Sequence, residues 1–135
     1  MGLIVVDASV VVDLLAGDDT PRRKAASERL TGGHALYAPA HLDIEVISAL
    51  RGIARYNPVL AADAPMLLGR LPRMPIRREP VTDLAAHRIW QLRENMTAYD
   101  AGYVALAEHL GAGLLTCDGK YAAITGLRCA IELLA

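Results

Sequence analysis

The stretch LIVVDAS, residues 3–9, sets the expected fold, because an uninterrupted apolar run ends there on a carboxylate. Residues 2–6 lack the alternation of polar and apolar side chains that marks a strand with one wet face. They therefore predict a strand buried on both faces of a parallel sheet. A second such run, residues 114–117, is again followed at once by an acid. Since ligands of open α/β sheets bind at the carboxyl ends of the strands, Asp7 and Asp118 are expected at one functional edge.

The rest of the chain alternates between helical and extended patterns. Helices are predicted over residues 9–16, 21–30, 39–56, 58–71, 81–95 and 97–109, and further short strands over residues 35–38, 74–78 and 129–133. Ser9 is predicted to cap the first helix, and Pro21, Pro39 and Pro58 to open later ones. This alternation predicts a three-layer α/β fold with a mainly parallel sheet. The length suits one compact domain, residues 1–135, with one hydrophobic core.

Composition indicates a folded protein with an uneven distribution of basic residues. The chain is 53% hydrophobic and 21% charged, and its net charge of -1 gives no global reason to bind nucleic acid. Because a guanidinium binds phosphate through a planar fork, two basic groups could form a local phosphate-binding surface. Solvated helix faces are the alternative for both groups. The groups are Arg22, Arg23 and Lys24, and Arg70, Arg73, Arg77 and Arg78.

Several classes of protein lose support from what the sequence lacks. Cys117 and Cys129 are too few for a disulfide framework and have no zinc-type spacing, although a bridge between them stays open. There is no paired-histidine motif and no glycine-rich phosphate loop. The first residues carry no basic leader, and no stretch approaches the roughly 18 apolar residues of a membrane span. We therefore expect a cytoplasmic protein.

Three of the candidate acids also have purely structural explanations. Asp7 could cap the first helix, and Asp118 could begin an Asp-Gly turn. Asp100 shares the apolar face of its helix, where an ionised carboxylate is costly unless it is paired or metal-bound. A capping box with Thr97 is the alternative for Asp100.

The helix sequence HLDIEVISALRGI, residues 41–53, contains two acids at the edges of its apolar stripe. The helical period places Asp43 and Glu45 each about 80 degrees from the centre of that stripe, so the helical wheel does not choose between them. At either position a solvated helix flank is the simpler explanation.

Taken in order, VVDASVVVDLL, HLDIEVISALRG, TAYDAGYVALAEHLG and LLTCDGKYA resemble the motifs of the PIN-domain ribonucleases, specifically the VapC-type toxins of type II toxin–antitoxin systems. The resemblance covers most of the chain, and YDAGYVALA followed by LLTCD is its most distinctive pair. It implies a three-layer α/β/α PIN-like domain in which four acids meet in one pocket as catalytic residues and ligands of Mg²⁺ or Mn²⁺. The four are Asp7, Glu45, Asp100 and Asp118, so the resemblance selects Glu45 over Asp43.

The resemblance also implies a supporting environment and partners. Ser9 and Thr116 are expected to support the pocket by hydrogen bonding. The expected substrate is structured cellular RNA, transfer or ribosomal, and the expected partners are a second copy of the chain and a cognate VapB-type antitoxin. Ile44 and Ile47 fit either an antitoxin contact or an additional core contact. Residues 57–80 match no family motif, so nothing is carried over to them.

The chemistry of four adjacent carboxylates agrees with that expectation. They repel one another and raise some of their pKa values, a penalty that a divalent cation removes. All-oxygen ligands select hard ions such as Mg²⁺ or Mn²⁺ over zinc. Two alternatives remain: a receiver-like phosphoacceptor domain, for which Lys120 is a superficial match, and a catalytically inactive PIN-like module that binds RNA or a partner.

Overall fold

The computed structural model describes residues 2–135, which are built around one five-stranded sheet. Its strands are β1 (Leu3–Val6), β2 (Ala35–Pro39), β3 (Ile76–Glu79), β4 (Gly113–Thr116) and β5 (Ile131–Leu133). All neighbours pair in parallel, in the order β3-β2-β1-β4-β5. The central strand β1 contains Val5 and Val6, which are fully buried. The parallel sheet predicted from the unbroken apolar runs is confirmed.

Six α-helices among the described residues cover the sheet. They are α1 (Ala8–Ala16), α2 (Pro21–Leu30), α3 (Leu42–Ala54), α4 (Pro58–Arg70), α5 (Asp83–Gln91) and α6 (Ala98–Leu110). Short 3₁₀ turns follow α4 and β4, at Leu71–Arg73 and Gly119–Ala123. Helices α5 and α6 pack on each other, while α1 contacts α2, α3 and α4. The predicted three-layer α/β/α arrangement is confirmed. Within residues 2–135, none of the helices has the length and apolar character needed to cross a bilayer.

The start of α3 differs from the prediction. Pro39 was expected to open a helix, but it is the last residue of β2, where it pairs with Glu79 of β3. The next amide, that of Ala40, donates to the carbonyl of Glu79 at 2.8 Å and extends the ladder past the proline. The helix therefore runs over Leu42–Ala54 instead of residues 39–56, because Pro39 and Ala40, expected in its first turn, pair with β3 instead.

The predicted cap of the first helix is wrong in a way that bears on the site. Asp7, not Ser9, occupies the N-cap position of α1, and its side chain makes no capping hydrogen bond. The Ser9 hydroxyl instead donates to Asp7 Oδ2 at 2.6 Å. The Asp7 amide donates to the carbonyl of Leu115 at 2.9 Å. This bond fixes the end of β1 beside the end of β4.

Helix α6 packs across the sheet and carries Asp100 to the same edge. Six of its residues are buried, and it contacts β1, β2 and β4. Gly102 allows its close approach to the start of α3, because a Cβ there would lie 2.6 Å from Cε1 of His41. Thr97 caps the helix by accepting a hydrogen bond from the amide of Asp100 at 3.2 Å. The first turn of α6 is thereby fixed at the carboxyl end of the sheet.

Candidate active site

Four acids from four different elements line one cleft of about 620 Å³ at the carboxyl edge of the sheet. Asp7 follows β1, Glu45 lies on α3, Asp100 lies in the first turn of α6, and Asp118 follows β4. The residues proposed from the motifs are therefore brought to one place, although they are distant in sequence. On α3 the cleft wall continues through Ala49 and Ile53, which follow Glu45 at helical spacing.

Asp7 is the most enclosed of the four, with 6% of its surface exposed. Its Oδ2 accepts hydrogen bonds from the hydroxyls of Ser9 at 2.6 Å and Thr116 at 2.9 Å, and Tyr121 donates to Oδ1 at 3.3 Å. These three donors offset the cost of burying a carboxylate. They also fix its rotamer with one oxygen turned toward Tyr121.

Ser9 and Thr116 also connect the ends of the two strands. Ser9 Oγ accepts from the amide of Cys117 at 2.9 Å, and Thr116 Oγ1 accepts from the amide of Asp118 at 3.0 Å. Each hydroxyl thus donates to the Asp7 carboxylate and accepts from a backbone amide that follows β4. The hydrogen-bonding support expected of Ser9 and Thr116 is present.

Two residues that were not predicted as site residues bridge the acids. The Lys120 ammonium lies 2.9 Å from Asp100 Oδ2 and 3.0 Å from Asp118 Oδ2. The Tyr121 hydroxyl lies 3.2 Å from Asp100 Oδ1 and also reaches Asp7. Partial burial opposes charging of Lys120, but its hydrogen bonds to the two carboxylates outweigh that effect and raise its pKa. Their position in the sequence could have identified them, since both residues lie on the turn that directly follows Asp118.

The structural explanations for Asp100 and Asp118 hold only in part. Thr97 makes its half of the capping box, but the carboxylate of Asp100 turns to Tyr121 and Lys120 instead of returning to the N-cap. Asp118 Oδ1 does accept from the backbone amide of Lys120 at 3.0 Å, as an Asp-Gly turn predicts. Its Oδ2 remains directed at the ammonium, so the turn and the cleft use different oxygens of one carboxylate.

Glu45 has a buried oxygen without a well-formed hydrogen bond. Nε2 of His41 lies 3.3 Å from Glu45 Oε1, but its hydrogen bond goes to the carbonyl of Tyr99 at 2.9 Å. The hydroxyl of Tyr103 is buried beside Glu45 and also lacks a bond of good geometry. A buried carboxylate oxygen without a hydrogen bond is costly, and a cation bound there would offset that cost.

The electrostatics of the cleft disfavour a charged Glu45. Burial raises the pKa of this carboxyl, and repulsion from Asp7 and Asp100 adds to the shift, while Tyr103 and His41 oppose it. For Asp118 burial acts in the same direction, but the backbone and side-chain hydrogen bonds from Lys120 outweigh it and lower the pKa.

The two acids of α3, Asp43 and Glu45, have different surroundings. Asp43 accepts from Arg78 at 3.0 and 3.3 Å, and the same guanidinium donates to the carbonyls of Leu71, Met74 and Ile76. Asp43 therefore helps to hold β3, whereas Glu45 lines the cleft.

Two of the grouped arginines make structural hydrogen bonds that occupy their guanidinium groups. Arg78 is committed to the bonds just described, and Arg23 donates to the carbonyl of Leu14 at 3.0 and 3.3 Å. Of the two groups, only Arg22 lines the cleft in the part of the chain that the structure describes. Arg22 pairs with the buried Asp13 at 2.7 Å, and 42% of its side chain is exposed.

The donor set of this cleft fits a hard divalent cation. Carboxylate oxygens are the ligands that Mg²⁺ and Mn²⁺ prefer, and one of them, Glu45 Oε1, is buried without a hydrogen-bond partner. Over residues 2–135, no three Asp, Glu, His or Cys side chains already converge at ligand spacing. The Lys120 ammonium lies between two of the four acids in this arrangement. A divalent ion in this cleft would be held by Asp7, Glu45, Asp100 and Asp118.

Comparison with known proteins decides the family. The family model described as PIN domain matches residues 4–127, a range that includes all four acids. Ribonuclease VapC12 of Mycobacterium tuberculosis is 39% identical over 133 residues, which cover 98% of this chain and all of that protein. This chain is a PIN-domain protein of the VapC type. The resemblance drawn from the ordered motifs is confirmed.

Solved structures show that the VapC-type likeness extends to the fold. PAE2754 of Pyrobaculum aerophilum aligns with a TM-score of 0.70 at 25% identity, covering 98% of this chain and 84% of that one. VapBC2 of Rickettsia felis, solved bound to a DNA fragment from its promoter, aligns with a TM-score of 0.67 at 11% identity over 98% and 99% of the two chains. At that identity the second comparison shows the fold alone.

Proposed function

We propose that this VapC-type protein is an endoribonuclease toxin that hydrolyses phosphodiester bonds of structured cellular RNA with Mg²⁺ or Mn²⁺. The observation that carries the proposal is that four acids line one cleft, where a buried oxygen of Glu45 has no hydrogen-bond partner. Relatives that share about two fifths of its residues are named ribonucleases.

The proposal assigns a role to five residues of the cleft. Asp7, Asp100 and Asp118 hold the ion, and Glu45 is either a further ligand or the base that positions water. When bound, the ion supplies charge neutralisation at the phosphate and a water of lowered pKa. Arg22, exposed at the rim and oriented by Asp13, contacts a neighbouring phosphate of the RNA.

The substrate must present a single strand or loop to reach these recessed acids, and transfer and ribosomal RNA offer such loops. Aromatic residues make up only 4% of the chain, so few side chains are available on which RNA bases could stack. Arginine contacts and RNA shape therefore carry recognition. Such a substrate places the protein in the cytoplasm.

A VapB-type antitoxin is the proposed partner, and α3 carries the surface for it. Ile44 and Ile47 are 68% and 41% exposed, so the additional core contact considered for them is wrong. Solved structures of the same fold include a toxin–antitoxin complex from Klebsiella pneumoniae and VapBC-5, a member of the VapBC family of toxin–antitoxin systems, from Mycobacterium tuberculosis. We expect an antitoxin segment to cover these isoleucines and to place an arginine or bulky side chain in the acidic cleft.

A homodimer is the proposed assembly of the toxin itself. Val81, Leu84 and Trp90 are exposed apolar side chains on and before α5, and a second copy would bury at least one of them. Light scattering of the purified toxin, at concentrations spanning two decades, tests this directly. A mass of one chain at every concentration contradicts it.

The activity is tested by incubating purified, antitoxin-free protein with total cellular RNA and mapping the cut sites. Mg²⁺ or Mn²⁺ should permit cutting and a chelator should abolish it. Asp7→Asn should fold normally and lose about 100-fold or more in rate, because a ligand at the centre of the site is replaced. Asp63→Asn, an exposed acid of α4 that does not line the cleft, is the matched control.

The outcomes separate the proposed function from its rivals. Normal cutting by Asp7→Asn contradicts the metal assignment. RNA binding without metal-dependent cutting identifies a non-catalytic PIN-like module. A receiver domain would instead take phosphate from a small donor and leave RNA intact, but two of the four acids here lie on helices α3 and α6.

A further inference from the structure

The Lys120 ammonium lies between two of the proposed metal ligands, Asp100 and Asp118. Its Nζ lies 2.9 Å from Asp100 Oδ2 and 3.0 Å from Asp118 Oδ2. The chain has only two lysines, and the other, Lys24, lies exposed on α2. A single positive charge thus neutralises part of an acidic cleft at the oxygens that a divalent ion would need. Carboxylates this close would otherwise repel one another.

We propose that Lys120 is an internal counterion, which stabilises the metal-free cleft and must be displaced when the divalent ion binds. This inference rests on the proposed function and deepens it, because it assigns to a residue of this chain the control of metal affinity. An ion that binds Asp100 and Asp118 competes for the lone pairs that the ammonium uses. Binding therefore includes the free energy of breaking two charge-assisted hydrogen bonds.

The local structure permits this displacement without unfolding the turn. Asp118 Oδ1 accepts from the backbone amide of Lys120 at 3.0 Å, whereas Oδ2 faces the ammonium. The turn Gly119–Ala123 can therefore keep its cap when the side chain leaves. With 48% of its side chain exposed, Lys120 has a path to solvent. Tyr121 stays behind, because it is almost fully buried and its hydroxyl bonds Asp7 and Asp100.

Removing the charge should have opposite effects on the two states of the protein. Without metal, Lys120→Met leaves the acids uncompensated, so the melting temperature falls. With metal, the ion no longer has to displace an ammonium from Asp100 and Asp118, so the affinity for Mn²⁺ rises. A side chain that merely built the site would lower both quantities when removed. The opposite signs therefore distinguish a counterion of the acids from a side chain that merely builds the site.

The experiment measures Mn²⁺ binding by calorimetry and thermal unfolding in a chelator, on the full chain without RNA. We expect Lys120→Met to bind Mn²⁺ roughly fivefold more tightly, the size of a partly exposed charge pair, and to melt at a lower temperature in chelator. Saturating Mn²⁺ should close that difference in melting temperature. Lys24→Met is the matched control and should behave as wild type.

Two further variants keep the test decisive. Lys120→Gln repeats the charge removal if the methionine variant does not fold, and Lys120→Arg, which keeps the charge, should bind Mn²⁺ as wild type does. Unchanged or weaker binding by the neutral variants overturns the role of Lys120 and leaves the metal-dependent function standing. Absence of Mn²⁺ binding in wild type and neutral variants alike overturns the metal part of the proposed function as well.

Discussion

Tyr121 shows how much of the site depends on contacts between distant residues. Its hydroxyl bridges Asp7 and Asp100, which are separated from it by 114 and 21 positions. Burial and the neighbouring acids raise its pKa, which keeps the hydroxyl protonated and a donor. The apolar ring is almost fully buried, so the hydroxyl is held in place by packing.

Tyr121→Phe should keep the fold and weaken the site. The ring still fills its space, but the two carboxylates lose the single hydroxyl hydrogen that they share, so Mn²⁺ affinity or cleavage rate should fall about tenfold. Calorimetric Mn²⁺ titration and single-turnover RNA cleavage measure the two effects. Tyr99→Phe, with an exposed ring, serves as the control. Wild-type values for Tyr121→Phe would show that its hydroxyl does not position the acids.

Glu45 gives a pH-dependent prediction in the metal-free protein. Because burial and the adjacent acids raise its pKa, the ionised carboxylate destabilises the fold at pH values above that raised pKa. Glu45→Gln removes the charge and should increase the free energy of unfolding at neutral pH in a chelator. As the pH falls through the raised pKa, wild-type Glu45 takes up a proton and the advantage should disappear. Urea unfolding at neutral and acidic pH measures this, and a variant less stable at neutral pH contradicts it.

At the scale of the elements, the ends of the strands were readable from sequence. The unbroken runs before Asp7 and Asp118 predict buried parallel strands, and parallel strands end at one edge. The choice between Asp43 and Glu45 was not readable from the helix, because it depends on Arg78, 35 residues away from Asp43. The cap assigned to Ser9 failed for the same reason, since its hydroxyl joins a site completed by Thr116.

Helices α5 and α6 are joined by an ion pair that can be tested for stability. Arg88 donates to both carboxylate oxygens of Glu108 at 2.7 and 3.1 Å, and the amide of Arg128 donates to the same group at 2.7 Å. Burial alone would raise the pKa of Glu108, but these hydrogen bonds outweigh it and lower the pKa. Ionised Glu108 therefore stabilises the fold at pH values above its unfolded-state pKa.

Glu108→Gln should lower the free energy of unfolding by about 2 kcal/mol at neutral pH, because a charged hydrogen-bond acceptor is lost. The difference from wild type should shrink as the pH falls through the lowered pKa of Glu108, where the wild-type carboxyl is protonated too. Urea denaturation across that range measures it. Glu94→Gln, on the exposed surface, is the control. A difference that persists or grows in acid contradicts the ion-pair explanation.

At the scale of the whole molecule, the ordered motifs identified the family, whereas the surfaces for partners could not be read from them. The apolar exposure of Ile44 appears only once α3 is packed on its neighbours. Ile44→Asp should weaken the complex with a VapB-type antitoxin by roughly tenfold or more, since it buries a charge in an apolar contact, while RNA cutting continues. Co-purification and cleavage assays measure the two effects. Wild-type affinity for the antitoxin would place that contact elsewhere.

Manganese-soaked crystals of the antitoxin-free protein, examined by anomalous scattering, test most directly that the four acids form one metal site. We predict an anomalous peak in the cleft within coordination distance of Asp7 and at least one of Glu45, Asp100 and Asp118. Carboxylates that stay apart with no peak between them, or a peak only outside this cleft, would contradict the account.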